Sequence, residues 1–139
     1  MSTATTTDEG STTGLGVVIA DDDTDIRRLI ELAARRAGVD VLAAVDNGAS
    51  ALDAIREHRP ALAVLDVAMP RLTGLQVCAA VRADHRLEHM RIMLLSAAVH
   101  AEAVAAGYDA QADLYATKPF SPRSLAAQIT ALTTMGARP

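Results

Sequence analysis

Five short apolar runs alternate with five amphipathic stretches along this chain, and that alternation leaves few folds open. The runs cover residues 17–20, 41–45, 62–67, 92–95 and, more weakly, 114–117. They show little period-two alternation, as expected of strands buried on both faces. Helical patterns lie between them. Ile26, Leu29, Ile30, Ala33 and Ala37 share one face, and Gly38 follows as a C-terminal stop. Asn47-Gly48 precedes a second helix that carries Leu52 and Ile55 and ends before Pro60. A third is predicted over about 72–82 and a fourth over about 101–107. The last opens on Ser121 as N-cap with Pro122 in its first turn, then aligns Leu125, Ile129 and Leu132. Five strand-then-helix repeats predict an α/β fold, a doubly wound five-stranded parallel sheet with right-handed crossovers and five helices.

A chain of 139 residues holds one such domain and not two. Residues 1–14 are Ser, Thr, Gly and acid, too polar to repay the entropy of ordering, and are expected to form a flexible tail before a domain spanning 15–139. Only Tyr108, Tyr115 and Phe120 are aromatic, so the core must come from Ala, Leu, Val and Ile. A net charge of −4 and arginines scattered in pairs provide no basic stripe for nucleic acid. No apolar stretch approaches the roughly 20 residues needed to cross a bilayer, and the N-terminus lacks a signal-peptide layout. The single Cys78 falls in an apolar helical pattern and reads as a small buried hydrophobe in a reducing compartment. These features predict a cytoplasmic protein without membrane insertion.

In an open parallel sheet, ligands sit beyond the carboxyl ends of the strands, where strand order reverses. The residues that end the runs are therefore the ones to read for chemistry. The first run ends in Asp21-Asp22-Asp23 with Asp25 beyond; the third ends at Asp66, the fourth at Ser96 and the fifth at Lys118-Pro119-Phe120. Asp21, Asp22, Asp66, Ser96 and Lys118 should converge on one edge. Clustered carboxylates raise one another's pKa unless a cation intervenes, and an all-oxygen site suits Mg²⁺. Lys118 is the only lysine among thirteen basic residues, the other twelve being arginine, which suggests use as a compact point charge. Asp23, Thr24 and Asp25 are explained well enough as a helix N-terminus. His58, His85, His89 and His100 lack ligand spacing and read as surface residues.

From Gly16 to about Thr134 the chain resembles the response-regulator receiver domain of two-component signalling, in the manner of the chemotaxis-type single-domain regulators. Asp21-Asp22 matches that family's acidic pair, Asp66-Val-Ala-Met-Pro its phosphoacceptor segment and Gly74-Leu75 the turn opening its third helix. Ser96-Ala97 matches its hydroxyl and small neighbour, Lys118-Pro119-Phe120 its lysine and cis-proline, and Tyr115 its switching aromatic. The spacings of 30 residues from Asp66 to Ser96 and 22 from Ser96 to Lys118 are normal for it. Gln111 departs from the pattern, standing where a glycine is usual, and Thr73 replaces a frequent Asp.

The resemblance implies the flavodoxin-like strand order 2-1-3-4-5. It implies phosphorylation of Asp66 by a sensor histidine kinase or histidine phosphotransfer protein, with Mg²⁺ held by Asp21, Asp22, Asp66 and the backbone carbonyl of Ala68. Lys118 and Ser96 would take phosphoryl oxygens, after which Tyr115 rotates inward behind Ser96. Output would go to a protein target or a homodimer through the face of the fourth helix, fifth strand and fifth helix, with no nucleic acid bound, since the roughly 20 residues after Lys118 are needed for the last helix. A haloacid-dehalogenase-type phosphatase would need an acid where Ala68 stands, and a flavodoxin's phosphate would be repelled by the Asp21–Asp25 acids. A receiver-like module that binds partners without phosphorylation is the remaining alternative.

Overall fold

Each helix begins at a side chain able to satisfy its unpaired N–H groups, which sets where the alternation breaks into elements. The computed structural model describes residues 15–98 and 100–138; the expected flexible tail at 1–14 lies outside the described residues. The elements are β1 (Gly16–Ala20), α1 (Thr24–Arg36), β2 (Asp40–Val45), α2 (Gly48–His58), β3 (Leu62–Asp66), α3 (Gly74–Arg82), a 3-10 turn (His85–Leu87), β4 (Arg91–Ser96), α4 (Ala101–Asp109), β5 (Leu114–Thr117) and α5 (Pro122–Thr134). Asp23, Asn47, Thr73, His100 and Ser121 are the N-caps. Thr73 forms a full capping box with Gln76, so this departure from the family's Asp keeps the cap and starts α3 two residues later than the apolar pattern alone predicts.

The five strands pair in parallel in the order β2-β1-β3-β4-β5, as the resemblance implied. Alternate strand residues feed two cores. Val18, Ala63, Leu65, Ile92 and Leu94 meet Ile55, Val77, Cys78 and Val81 on one face, while Val17, Ile19, Val64, Met93 and Leu95 meet Ile30, Ala33, Leu125 and Ile129 on the other. β3 is buried at every position, but in β2, an edge strand, Asp40 and Leu42 are exposed and the other residues only half-buried. Leu42 bulges out of the β1 pairing and lies over Gly16, where a Cβ would collide with it. Cys78 is fully buried; burial pushes its thiol up to about 11, and Sγ donates to the Ala110 carbonyl at 3.1 Å.

The end of the sheet opposite the predicted site is tied by Asp113. Its Oδ2 accepts from Arg82 Nη2 and from the Ile92 N–H, both at 2.8 Å, and its Oδ1 from Arg91 Nη1 at 3.2 Å and Arg138 Nη1 at 3.3 Å. Beside it, Gln111 takes the left-handed conformation at φ 69°. Its carbonyl accepts from Arg82 Nε at 2.9 Å and from Arg138 Nη1 at 3.1 Å, bonds that hold a conformation unfavourable to a residue with a Cβ. The glycine expected at this position is therefore replaced without loss of the turn. Gln111→Gly keeps both carbonyl bonds and is expected to stabilise the fold by about 0.5–1 kcal/mol, read as a raised melting temperature.

Candidate functional site

Asp21 follows β1 and Asp66 ends β3, adjacent strands on either side of the point where the strand order reverses. Asp21 is fully buried and Asp66 nearly so, while Asp22 faces solvent. One carboxylate oxygen from each of the three lies within 4.8 Å of the others. Lys118, just past β5, reaches across to place Nζ 2.8 Å from Asp21 Oδ2 and 3.3 Å from Asp66 Oδ1. The Lys118-Pro119 bond is cis, as the resemblance implied. Local bonds hold the acids in place. Asp21 Oδ1 accepts from the Asp23 N–H at 2.9 Å, the Asp21 carbonyl from Arg27 Nη1 at 3.0 Å, and Asp66 Oδ1 from the Ala68 N–H at 3.3 Å. Gly74 lies so close to the Asp66 carbonyl that a Cβ there would collide with it. That backbone contact explains a glycine at the mouth of α3 and leaves Asp66 little freedom to shift.

The charges are arranged to be neutralised from outside. Burial first, and then the Asp21 charge, push Asp66 up to about 6 despite the opposing pull of Lys118. Burial alone would lower the Lys118 ammonium, but its close contact with Asp21 and the charges of Asp66 and Asp21 more than offset it and hold the group above its ordinary value. Asp21 Oδ2 is buried and accepts no well-aligned hydrogen bond, leaving only its ion contact with the ammonium. A hard cation would satisfy that oxygen, and the oxygen-only donor set fits Mg²⁺.

Ser96 ends β4 beside this pocket. Val67 N–H donates to the Leu95 carbonyl and Lys118 N–H to the Ser96 carbonyl, both at 2.9 Å, which ties the acceptor, hydroxyl and lysine strand ends together. Ser96 Oγ accepts from the Ala98 N–H at 3.0 Å. Tyr115, expected to turn inward on activation, is already inward here. It is 9 % exposed, and its hydroxyl donates to the Ala98 carbonyl at 2.7 Å. Gly107 makes this possible, since a Cβ there would come 2.6 Å from the Tyr115 ring. The apolar pattern ends the fourth helix at about Gly107; α4 instead runs on to Asp109, and the glycine serves the ring. His58, His85 and His100 are exposed and His89 is half-buried, and none falls in a candidate metal group among the described residues.

A doubly wound sheet that gathers acids and one ammonium at its switch point is the arrangement of the receiver class of signalling domains. The model of the response regulator receiver domain matches residues 17–130, and the chain belongs to that family. Receiver domains are the phosphoacceptors of two-component signalling and bind Mg²⁺ at an acidic pocket of this kind. The chain is 39 % identical over 122 residues to the transcriptional regulatory protein GltR of Pseudomonas aeruginosa, covering 88 % of this chain and 50 % of GltR. It is 35 % identical over 115 residues to the DNA-binding response regulator MtrA of Mycolicibacterium smegmatis, covering 83 % and 49 %. The chain thus spans about half the length of these curated relatives. Among solved structures, a putative response regulator from Chloroflexus aurantiacus is similar at 31 % identity and a TM-score of 0.79, covering 86 % of this chain and 98 % of that one. Chemotaxis response regulator CheY4 of Vibrio cholerae is similar at 28 % identity and a TM-score of 0.79, covering 86 % and 99 %. Among the described residues no helix is long and apolar enough to cross a membrane.

Proposed function

We propose that residues 15–139 act as one receiver unit in which Asp66 takes a phosphoryl group from a histidine kinase or histidine phosphotransfer protein. The observation that carries this reading is the buried Asp66 carboxylate, raised to about 6, within 3.3 Å of the only lysine and beside two further acids. An Asp66 oxygen forms the new O–P bond as the N–P bond of the donor phosphohistidine breaks; the imidazole nitrogen takes the electron pair, and the product is an acyl phosphate. Lys118 neutralises charge on one phosphoryl oxygen and Ser96 donates to another, so the protein's work is positioning and electrostatics. Asp21, Asp22, Asp66 and the Ala68 carbonyl would hold Mg²⁺, which when bound supplies charge neutralisation to the phosphoryl oxygens. The chain so read promotes its own phosphorylation and dephosphorylation and is a cytoplasmic signalling protein rather than an enzyme acting on other substrates. Every acid and the lysine are in place, which favours this over a module that binds without phosphorylation.

Output follows from Tyr115. Phosphorylation draws Ser96 toward Asp66 and biases the inward ring, and with it the face of α4, β5 and α5, between two states. A cleft of about 410 Å³ between β5 and α5, lined by Tyr115, Thr117, Phe120 and Ser124 among others, lies on that face. A protein partner or a second copy is the expected target; the charge of this chain does not favour nucleic acid, although GltR and MtrA are named as transcriptional and DNA-binding regulators. In a thermal melt, Mg²⁺ at ten times its Kd should stabilise the chain by about 1.4 kcal/mol, because it binds the native state alone. Asp22→Ala should remove most of that gain with little change to the metal-free melt. Tyr115→Ala should take up phosphate normally while losing the beryllofluoride-induced shifts in α4 and α5; retention of those shifts would exclude Tyr115 as the coupling group.

A further inference from the structure

Among the described residues β5 is the last strand of the sheet, so one side of its backbone has no neighbouring strand there. An open strand edge with unpaired N–H groups is ordinarily covered or left to solvent. Here the Tyr115 N–H on the open side donates to the hydroxyl of Tyr108, 3.2 Å away, in the last turn of α4. Tyr108 is 46 % exposed, so its ring contributes little to either core, and the sequence pattern gives it no packing role. Tyr115 is thus held at both ends: its backbone by Tyr108, and its own hydroxyl by the Ala98 carbonyl at 2.7 Å. Ala98 in turn donates its N–H to Ser96 Oγ at 3.0 Å. A continuous hydrogen-bonded chain therefore runs from the acceptor pocket through Ser96, Ala98 and Tyr115 to α4.

We propose that Tyr108 is a positioning residue of the switch, the link that passes a change at Ser96 and Ala98 through the Tyr115 backbone to α4. The proposal rests on the phosphoacceptor reading above and adds to it a residue and a route. Ring packing against Gly107 confines the Tyr115 side chain but does not tie its backbone to the helix. The Tyr108 hydroxyl does, because a hydrogen bond fixes the strand edge and the last turn of α4 at one separation. A displacement of Ala98 that moves Tyr115 must then either carry α4 with it or break this bond.

Tyr108→Phe tests the link by removing one oxygen and keeping the ring. Without metal or phosphate, the Tyr115 amide should exchange roughly fivefold faster or more in the variant, as loss of one hydrogen bond predicts. With Mg²⁺ and beryllofluoride, backbone shifts at Ser96 and Ala98 should match the wild type, while those across residues 101–109 should fall to less than about half. Phosphoryl uptake from acetyl phosphate should be unchanged, a result that a general loss of stability would not give. A wild-type Tyr115 amide as unprotected as in the variant, or a full α4 response in Tyr108→Phe beside normal phosphate uptake, overturns the proposal alone. A wild-type chain that takes up no phosphate overturns the phosphoacceptor reading, and the switch route with it.

Discussion

Asp66→Asn is expected to abolish phosphoryl uptake and, in metal-free protein at neutral pH, to melt higher than the wild type. Asn matches the shape of Asp but is no nucleophile, so the loss of uptake should be complete. The gain in stability follows from the site's electrostatics. The Asp66 carboxyl is raised to about 6 by burial and by Asp21, above its ordinary value of 3.8, so the native state holds its proton more tightly than the unfolded chain does. Folding is therefore favoured most below pH 4, and that contribution is lost as pH rises from about 4 through about 6. At pH 7 the ionised carboxylate costs about 1–3 kcal/mol, the lower end allowing for the pocket's access to water. The neutral amide escapes this cost. The difference in melting temperature between variant and wild type should thus be present at pH 7 and vanish toward pH 4. Saturating Mg²⁺ should narrow it, since the ion relieves the wild type alone. A variant that melts with the wild type at every pH would mean that Asp66 is not strained by its surroundings.

Asp113→Ala should be more damaging, at about 3–5 kcal/mol. Its side chain is 9 % exposed and holds Arg82, Arg91 and Arg138, of which Arg82 is only 7 % exposed. Removing it leaves guanidinium groups desolvated without a counter-charge and takes the acceptor from the Ile92 N–H at the start of β4. Asp113→Asn should cost less, because its side-chain oxygen can still accept from Ile92. Thermal or denaturant unfolding reads both. Since Asp113 lies at the opposite end of the sheet from Asp66, phosphate uptake by the folded fraction should survive; its loss would show that the two ends are coupled.

The contrast between these aspartates explains what was legible in the sequence. Asp21, Asp66, Ser96 and Lys118 each end a strand or directly follow one, and a strand end is visible as the close of an apolar run. Parallel topology then does the gathering, so the candidate site needed no contact information. Asp113 directly precedes a strand, and its partners sit 31, 22 and 25 residues away on a helix, a strand and the segment after α5, with no local pattern joining them. The glycines were ambiguous for a related reason. Gly38 does take the left-handed conformation that stops α1, at φ 76°, but Gly107 is needed for the ring of Tyr115, which lies beyond it in β5, and leaves its own helix unbroken. An apolar run also does not tell a central strand from an edge, which is why β2 looked buried on both faces.

The central claim, that Asp66 is the phosphoacceptor, is tested most directly by intact mass after incubation with acetyl phosphate and Mg²⁺, followed by peptide mapping of the modified chain. The expected result is one added phosphoryl group per chain, located at Asp66, labile as an acyl phosphate and absent when Mg²⁺ is chelated. A chain that gains no phosphoryl mass, or gains it at another residue and equally well in Asp66→Asn, would contradict the account.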